Sequence, residues 1–573
     1  MKKQRLIHLY TEEGEKLSKT PWDEYPRPQL RRASFISLNG EWRLKINGGN
    51  EETVNVPFAP ESLLSGICRT PEKKSKLEYQ KRFSLPAGFI NKRVILHFGA
   101  VDSVAKVFLN GTLIGEHIGG YLPFSFDITD NLKDENLLTV LVTDENKSKR
   151  LPYGKQRYDR GGMWYTPISG IWQSVWLESV PESYVKALRI ETGADYARIT
   201  AEGVSTGEIT VNTPSGEITV SLTESQALIK PANPRLWSPE SPYLYHFTLR
   251  TESDTVSSYF ALRTLMTETF NGIPRLCLNG KPYFFHALLD QGYFSDGIYT
   301  PASPKCYEND ILTAKSLGFN TLRKHIKIEP ELFYYYCDKY GMIVFQDMVN
   351  NGGYSFIRDT ALPTVFSVYK SLPDKLLLRN KAVRIEFEKA MKETVKHLYN
   401  HPCICYWTVF NEGWGQFESK RMYRLIKKLD SSRFIDTASG WFKSSESDVV
   451  SPHVYFKPVK IKPSKKPTLL SEFGGYSHKV EDHSFNLDKE YGYRIFKNRE
   501  AFEDAFEALY RDEIIPAIKN GLCGSVYTQL SDVEDETNGL ITYDRRVLKV
   551  TAERMTDIAK KLNDALDSAC SQK

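Results

Sequence analysis

Residues 404–415 read Ile-Cys-Tyr-Trp-Thr-Val-Phe-Asn-Glu-Gly-Trp-Gly, an apolar run that ends abruptly in a polar, glycine-rich segment. Other short apolar runs recur after residue 270, and segments with helical periodicity separate most of them. Strands that alternate with helices predict parallel βαβ units. Eight such runs in about 300 residues predict a (β/α)₈ (TIM) barrel, whose functional side chains follow the strand ends.

The predicted barrel covers residues 269–573 and contains six helices besides its strands. The predicted strands are residues 283–286, 320–323, 342–345, 404–410, 434–436, 449–455, 468–470 and 525–527. The predicted helices are residues 308–317, 330–340, 382–398, 418–429, 500–519 and 551–562.

The sequence before the barrel has a different pattern. Between residues 35 and 265, short alternating strands are separated by Gly, Pro and Asn, and no helix-period segment interrupts them. Asn110-Gly111 is a two-residue hairpin signal within this part. We therefore predict a multidomain chain with a jelly-roll β-sandwich over residues 1–183 and an immunoglobulin-like β-sandwich over residues 184–268.

Composition argues against several classes of protein. The chain has 573 residues, of which 41% are hydrophobic and 26% charged, so a disordered chain is excluded. The net charge of +5 argues against a nucleic-acid partner. The sequence contains no apolar run of about 18 residues, so we expect no membrane span. The N-terminus is polar and the eight cysteines form no C-x-x-C pair, so we expect a reduced, cytoplasmic protein.

Two glutamates directly follow predicted strands. Glu412 lies in the Asn-Glu-Gly-Trp-Gly segment after the fourth strand, and Glu472 lies in a Ser-Glu-Phe-Gly-Gly segment after the seventh. Two carboxylates that face each other across a barrel mouth are the minimal apparatus for hydrolysing a glycosidic bond. Asn411 is suited to hydrogen-bond a sugar hydroxyl, and Trp414 could stack on a sugar face. The alternatives are surface-loop glutamates and a packing aromatic.

Seven longer segments carry a resemblance that covers nearly the whole chain. They are residues 38–42 (Leu-Asn-Gly-Glu-Trp), 107–115, 120–124, 169–178, 236–245, 278–282 and 401–412. In this order they resemble glycoside hydrolase family 2, the group of β-galactosidases, β-glucuronidases and β-mannosidases. The resemblance implies a retaining exo-glycosidase that hydrolyses O-glycosidic bonds by a two-carboxylate double displacement.

The same resemblance assigns roles to five residues. Glu412 matches the family's acid/base, and Asn411 matches its partner. Glu472 matches the nucleophile. Tyr455 matches a tyrosine that hydrogen-bonds the nucleophile, and Arg323 matches a barrel arginine near the same carboxylate. A cation in that position is physically sensible, because it lowers the pKa of a carboxylate that must stay ionised.

The sequence departs from the family pattern in several places. His325 lies one position early relative to the family's histidine, so its role stays open. The third strand ends in Phe345-Gln-Asp347, without the acidic segment that helps to hold magnesium in some β-galactosidases, and we expect neither a metal nor another cofactor. Residue 540 is Leu where the segment that resembles a glucuronate reader has Lys, which disfavours a uronic acid substrate.

Four further residues are candidates for substrate binding. Asp290 and Gln291 follow the first strand and are placed to bind hydroxyls of the nonreducing sugar, although a turn that caps the strand is the alternative. His453 and Asp347 are weaker candidates, because a lone histidine near a barrel strand is at least as often a satisfied core group.

Residues 158–165 form a loop that is dense in aromatic and charged groups. An exposed Trp164 would be costly without a partner surface. We predict that this loop reaches the rim of the active site and shapes the space for the leaving group. A plug at the domain interface is the alternative.

The sequence leaves the sugar specificity open. We expect a carbohydrate substrate and place β-galactosidase first, because that activity dominates the family. β-Mannosidase, β-glucosidase and arabinoside- or galactofuranoside-cleaving activities stay open, as does a noncatalytic carbohydrate-binding protein. A homo-oligomer also stays open.

Overall fold

The computed structural model describes residues 4–144, 149–361, 374, 380–442 and 444–571. Its N-terminal part is a β-sandwich of two antiparallel sheets. In spatial order, the larger sheet contains Glu51–Val56, Gly40–Ile46, Lys76–Phe83, Asn136–Thr143, Val104–Leu109 and Thr112–Ile118. The smaller sheet contains Phe35–Ser37, Val175–Val180, Arg93–Phe98 and Phe124–Asp127. Two short strands, Val101–Asp102 and Gly170–Ile171, pair separately.

Local sequence explains this sandwich. In strand Gly40–Ile46 the side chains of Trp42 and Leu44 are buried and the intervening ones are exposed, because successive side chains of a strand point to opposite faces. The predicted hairpin is present. Asn110 and Gly111 have φ values of +53° and +85°, the left-handed conformation that a two-residue hairpin turn requires.

The second sandwich has a three-stranded and a four-stranded sheet. The first contains Ala187–Thr192, Ala197–Glu202 and Gln226–Ile229. The second contains Gly216–Leu222, Gly207–Thr213, Tyr245–Arg250 and Thr255–Phe260. Three further paired strands, Leu265–Phe270, Ile273–Leu278 and Lys281–Pro282, lead into the barrel.

The barrel is a parallel sheet of eight strands. We number them β1 (Phe285–Asp290), β2 (Thr321–Lys324), β3 (Ile343–Asp347), β4 (Ile404–Thr408), β5 (Phe434–Asp436), β6 (His453–Val454), β7 (Thr468–Gly474) and β8 (Leu522–Thr528). Their spatial order is β5-β4-β3-β2-β1-β8-β7-β6. Between the two end strands, the Gly440 N–H donates to the carbonyl oxygen of Ser451 at 2.9 Å, so the sheet curls round on itself.

Helices cover the outside of this sheet. They are α1 (Lys305–Ser316), α2 (Glu331–Tyr340), α3 (Lys381–Leu398), α4 (Ser419–Leu429), α5 (Arg499–Leu509), α6 (Ile515–Ile518) and α7 (Ala552–Cys570). Shorter elements are the helix Glu12–Glu15, 3₁₀ turns Thr129–Asn131 and Glu481–His483, π-turns Phe356–Ala361 and Tyr510–Ile514, and the strand pair Tyr476–Ser477 with Arg494–Ile495. No helix in the described part of the chain is long and apolar enough to cross a membrane.

The predicted fold class, a jelly roll, an immunoglobulin-like sandwich and a TIM barrel, is confirmed. Several element boundaries differ from the predicted ones. Strand β1 continues past His286 to Asp290, and the buried imidazole of His286 lies 3.1 Å from both the Gly318 carbonyl oxygen and the Tyr510 hydroxyl. The helix predicted at 500–519 is divided by a π-turn, and its second part begins at Ile515 and contains Pro516, which has no backbone N–H to donate.

The jelly roll packs directly against the barrel. Tyr121, Tyr153, Trp164 and Trp172 of the jelly roll belong to the same hydrophobic cluster as the barrel core. The hydroxyls of Tyr121 and Tyr299 lie 2.9 Å apart across this contact. Residues of the first sandwich are thereby brought to the carboxyl ends of the barrel strands.

Candidate active site

Glu412 and Glu472 approach each other at the carboxyl ends of β4 and β7. Glu472 lies within β7, whereas Glu412 follows β4 and has a φ of +53°, which is uncommon for a residue with a side chain. The Glu412 N–H donates to Ser439 O at 2.9 Å and holds this conformation. One oxygen of each carboxylate and Nδ1 of His453 lie within 4.8 Å of one another. Carboxyl groups about 5–5.5 Å apart favour direct attack by one of them over activation of a water.

Two donors hold the carboxylate of Glu472. The Tyr455 hydroxyl donates to Oε2 at 2.6 Å, and Nη1 of Arg323 donates to Oε1 at 3.1 Å. Burial raises the pKa of Glu472, but the imidazole of His453 and the guanidinium of Arg323 outweigh that effect and lower the pKa to about 2. Glu472 is therefore ionised at neutral pH.

Arg323 makes a hydrogen bond or ion pair with each of its N–H groups. Its Nε donates to Asp347 Oδ1 at 3.0 Å, and Nη1 donates to Ser471 O at 2.9 Å as well as to Glu472. Its Nη2 donates to Asn411 Oδ1 at 2.9 Å and lies 3.0 Å from Asp347 Oδ2. All five guanidinium hydrogens have acceptors, so the position of the cation is fixed by β2, β3, β7 and the segment after β4.

The side chain of Asn411 is oriented by this arginine. Because its Oδ1 accepts from Arg323, its amide nitrogen points elsewhere, and it has no protein partner in the described residues. The amide lies one residue before Glu412 and is therefore available beside the carboxylate pair. This arrangement suits a donor to a sugar hydroxyl.

Asp347 accepts from Arg323 and also contacts His325. Nδ1 of His325 lies 2.8 Å from Asp347 Oδ2, and both residues are buried. Burial lowers the pKa of His325, so the neutral ring donates its Nδ1–H to the carboxylate. The contacts of Asp347 are those of a counter-ion for Arg323.

His453 lies between the two glutamates. Its Nδ1 is 3.0 Å from Glu412 Oε1 and 3.5 Å from Glu472 Oε2. Its Nε2 is 2.8 Å from the hydroxyl of Ser439. The sequence makes this histidine a weak candidate for sugar binding, and the structure brings it against both carboxylates.

Asp290 does not join this cluster. Its Oδ2 accepts from Lys324 Nζ at 2.6 Å, and its Oδ1 accepts from the Gly292 N–H at 2.8 Å. Lys324 and Arg323 are neighbours in β2 and face opposite sides of the sheet, so Asp290 faces away from the barrel interior. The contact with Gly292 is that of the capping turn, and the sugar-binding role of Asp290 stays a prediction.

Gln291 is held in an amide contact near the end of β8. Its Nε2 donates to Gln529 Oε1 at 2.9 Å. Its Oε1 is buried without a hydrogen-bond partner among the described residues. No contact joins Gln291 to Glu412 or Glu472 in the described structure, so its sugar-binding role stays a prediction.

The loop that contains Trp164 packs against the segment that follows β4. The Trp164 ring packs edge-on against Trp414 and Tyr354 at centroid distances of 5.2 and 5.0 Å, and the guanidinium of Arg157 lies 3.6 Å from its centroid. Trp164 is buried and also fills the domain interface, so the rim and plug interpretations are compatible. Trp414 is 2% exposed and packs on Tyr153 as well, as the packing alternative expects, and its sugar-stacking role stays a prediction.

Sequence analysis missed Lys155. This residue is 9% exposed, and its ammonium lies 5.6 Å from the Trp164 ring centroid. It makes no hydrogen bond or ion pair with any described residue, although its charge acts on His325 and Glu536 at the barrel mouth. No local pattern separates this lysine from a surface lysine, because only the packing of the jelly roll brings it here.

A cleft of ≈ 650 Å³ opens beside His453 and Tyr455. Its walls include Trp441, Phe456 and Lys457. Phe456 is largely exposed. An open cleft with aromatic walls next to the carboxylate pair is suited to receive the part of a substrate that leaves.

Comparison with known proteins places this architecture in a family. A model of the glycosyl hydrolases family 2 sugar binding domain matches residues 15–181, a second model described as glycosyl hydrolases family 2 matches residues 189–263, and a model of the family 2 TIM barrel domain matches residues 276–546. The chain therefore belongs to glycosyl hydrolase family 2, a class of enzymes that cleave glycosidic bonds.

Individual relatives are distant. A β-galactosidase of Thermoanaerobacter pseudethanolicus is 26% identical over 500 residues, covering 79% of this chain and 63% of that protein. A β-glucuronidase of Chlorocebus aethiops is 26% identical over 401 residues, covering 62% of this chain and 58% of that protein. This chain spans less than two thirds of either relative. The solved β-D-glucuronidase of Dictyoglomus thermophilum has the same fold, with a TM-score of 0.74 at 17% identity over 94% of this chain and 98% of that chain.

Proposed function

We propose that this protein is a retaining exo-glycosidase in which Glu472 is the nucleophile and Glu412 is the acid/base. The proposal is carried by two carboxylates that lie within 4.8 Å of each other, one of them held ionised by Arg323. Glu472 attacks the anomeric carbon, the bond to the leaving oxygen breaks, and Glu412 protonates that oxygen. Glu412 then removes a proton from water, which attacks the same carbon and releases Glu472. Two inversions retain the configuration.

The surrounding groups support this assignment. Tyr455 and Arg323 stabilise the charge of Glu472 before attack and again when it leaves the glycosyl-enzyme. We assign Asn411 as a donor to the hydroxyl beside the reacting carbon, since its amide nitrogen has no protein partner in the described residues. The jelly-roll loop with Trp164 covers one side of the barrel mouth, which favours a pocket for a terminal sugar.

Covalent labelling tests the nucleophile. A 2-fluoro glycoside with an activated leaving group should inactivate the enzyme and leave the sugar esterified to Glu472, as peptide mapping would show. NMR of the first-formed product should show the anomeric configuration of the substrate. A label on a peptide without Glu472, or inversion, would overturn the proposal.

Azide rescue tests the acid/base. Glu412→Ala should spare glycosylation by substrates with good leaving groups and slow deglycosylation, because only the second step then needs the base. Added azide should restore turnover and yield a glycosyl azide of retained configuration. The matched control is Glu418→Ala, which removes a more exposed glutamate of the same segment and should need no azide. Absence of rescue would contradict the role of Glu412.

We place β-galactosides first as the substrate class. The support is the similarity to a protein named β-galactosidase over 79% of this chain, together with Leu540 at the position that resembles a glucuronate reader. A panel of p-nitrophenyl β-glycosides with different sugars would rank the substrates by kcat/KM. Activity on another neutral sugar would keep the mechanism and change the specificity.

A second candidate is hydrolysis of β-uronosides. The observation that favours it is Lys155, a buried cation at the rim that has no ion-pair partner among the described residues and could pair with a sugar carboxylate. If so, Lys155→Met should reduce kcat/KM for p-nitrophenyl β-glucuronide or β-galacturonide by about 10²-fold and change a neutral glycoside little. Lys106→Met, at an exposed jelly-roll lysine, is the control. Equal losses on both substrates would reject this candidate.

Domain boundaries and location also stay proposals. We place the boundaries at residues 183/184 and 268/269, which is supported by separate hydrophobic cores for the two sandwiches. We propose a reducing, cytoplasmic location, which is supported by eight cysteines that are all free thiols. Fractionation of the host cell would test the second proposal.

A further inference from the structure

The roles of Glu472 as nucleophile and Glu412 as acid/base do not explain why His453 lies between their carboxylates. We propose that His453 is a positioning residue that shares the catalytic proton with Glu412, and that the hydroxyls of Ser439 and Ser471 fix its tautomer. This inference rests on the proposed role of Glu412 as the acid/base.

The hydroxyls of Ser471 and Ser439 connect the Ser451 carbonyl oxygen to His453, and we call this chain of contacts the serine relay. The tautomer of His453 follows from counting the hydrogens along it. Ser471 Oγ lies 3.0 Å from the carbonyl oxygen of Ser451, which can only accept, so Ser471 donates its hydrogen there. Ser439 Oγ lies 3.1 Å from Ser471 Oγ and therefore donates its single hydrogen to it. His453 Nε2, at 2.8 Å from Ser439 Oγ, is then the donor in that contact. All three contacts are hydrogen bonds only in this arrangement.

This tautomer leaves a lone pair on His453 Nδ1. Nδ1 lies 3.0 Å from Glu412 Oε1 and 3.5 Å from Glu472 Oε2. Glu472 accepts hydrogen bonds from Arg323 on one oxygen and from Tyr455 on the other, so it has no hydrogen to offer. The hydrogen between Nδ1 and Glu412 is therefore the acid's own proton, held as a carboxyl–imidazole or a carboxylate–imidazolium pair.

The pair balances the protons of both chemical steps. In glycosylation it gives one proton to the leaving oxygen, the electrons of the broken carbon–oxygen bond stay on that oxygen, and Glu472 forms the new bond. In deglycosylation it takes one proton back from water. His453 acts through Glu412: it holds the proton at that carboxyl group by giving it a second site.

Several charged or titratable groups face this pair from the surrounding elements. They are Arg323 (β2), His325 (after β2), Asp359 (after β3), Asp436 (β5), Tyr455 (after β6), Glu472 (β7), and Tyr491 and Tyr493 (after β7). Burial raises the pKa of Asp436 to about 6, close to the range of a catalytic pH profile. An Asp436→Asn variant must therefore accompany the pH measurements.

The test compares leaving groups across pH. His453→Phe removes both ring nitrogens, and Ser439→Ala keeps the ring but breaks the relay. Ser477→Ala is the matched control, since this buried serine also pairs with a hydroxyl, Thr537 Oγ1 at 2.7 Å, but lies outside the relay. For each variant, kcat/KM would be measured from acid to alkaline pH with a dinitrophenyl glycoside and with a methyl glycoside of the same sugar.

We expect His453→Phe to lower kcat/KM for the methyl glycoside by about 10²-fold, because that leaving group needs the proton, and to change the dinitrophenyl glycoside far less. The alkaline limb for the methyl glycoside should move to lower pH, because the proton then has one site instead of two. Ser439→Ala should shift that limb in the same direction by less, and neither Ser477→Ala nor Asp436→Asn should shift it.

Equal losses on both glycosides, an unmoved alkaline limb, or the same shift in Ser477→Ala or Asp436→Asn would overturn the inference. Labelling of Glu472 by the 2-fluoro glycoside in His453→Phe shows that the site is folded; if that variant does not fold, the Ser439→Ala profile decides. Failure of labelling in the unmodified enzyme would instead refute the proposed function, so the two failures are distinguishable.

Discussion

The barrel mouth and the jelly roll each bury a glutamate, and the pKa values of the two carboxyl groups are shifted in opposite directions. Glu472 is 5% exposed and Glu61 is 9% exposed. Beside Glu472 stand Arg323 and His453, and its pKa is lowered to about 2 against the effect of burial. Glu61 accepts hydrogen bonds from Ser169 and forms no ion pair with a described residue, and burial raises its pKa to about 8.

This contrast shows which interaction prepares the nucleophile. Burial acts in the same direction on both carboxyl groups, so depth in the protein does not separate them. Hydrogen bonds alone, as at Glu61, leave the acid protonated near neutrality. The imidazole of His453 and the guanidinium supplied by β2 are therefore what keep the barrel glutamate ionised and ready to attack.

The largest expected effect comes from removing the ionised carboxylate. Glu472→Gln should lower kcat/KM for every substrate by about 10⁵-fold, because no glycosyl-enzyme can form. Steady-state kinetics with both good and poor leaving groups would measure the loss. Glu61→Gln is the matched control and should keep full activity. Substantial turnover by Glu472→Gln would mean that another group attacks.

Removing the cation should make Glu472 resemble Glu61. In Arg323→Met the pKa of Glu472 should rise, so the acid limb of kcat/KM should move to higher pH and activity should fall by about 10²-fold or more. Stability should fall by about 3–5 kcal/mol, because Asp347 and Glu472 lose their buried counter-ion. Urea unfolding and pH profiles would measure both effects.

Glu472 also makes the stability of the folded protein depend on pH. In the unmodified protein the pKa of Glu472 is lowered from 4.5 to about 2. Its contribution is therefore present above pH 4.5 and lost as the pH falls toward 2. Arg323→Lys keeps a charge but loses the planar fork, so it should lie between the unmodified protein and Arg323→Met. An unmoved acid limb in Arg323→Met would contradict the role given to the cation.

Trp164 of the jelly roll packs against Trp414 of the barrel and so connects the jelly roll with the barrel mouth. Trp164→Ala should raise KM for oligosaccharides several-fold more than for aryl monoglycosides, because we expect only the former to fill the space that this loop shapes. Kinetics on a matched pair of substrates would measure the ratio. Trp42→Ala, in the jelly-roll core, is the control for a purely structural loss. Equal effects on both substrates, with a large drop in melting temperature, would assign Trp164 to the interface alone.

The smallest expected effect concerns stability at Glu61. Its folded-state pKa is raised from 4.5 to about 8, so its contribution is present below pH 4.5 and lost as the pH rises through 8. Glu61→Gln should flatten the fall in melting temperature between about pH 5 and pH 9 by removing this titration. Glu41→Gln, at an exposed glutamate, should not. The same slope in both variants would show that Glu61 is not protonated in the folded protein.

The sequence by itself determined the three-part architecture and the position of both glutamates. Apolar runs of strand length, helical periodicity and the Asn-Gly turn are local properties, and each acts within a few residues. Glu412 and Glu472 could be located because one follows an apolar strand and the other lies near the carboxyl end of a second, and the carboxyl ends of parallel strands meet at one face of a barrel.

Only the tertiary structure decided what surrounds those glutamates. Lys155 reaches the mouth through packing of the jelly roll, and the relay from Ser471 through Ser439 to His453 joins three strand ends that are separate in sequence. Asp290 could not be assigned from sequence, because one step along β1 reverses the face of the sheet. Contacts between distant segments depend on how whole elements pack, and no local pattern records that packing.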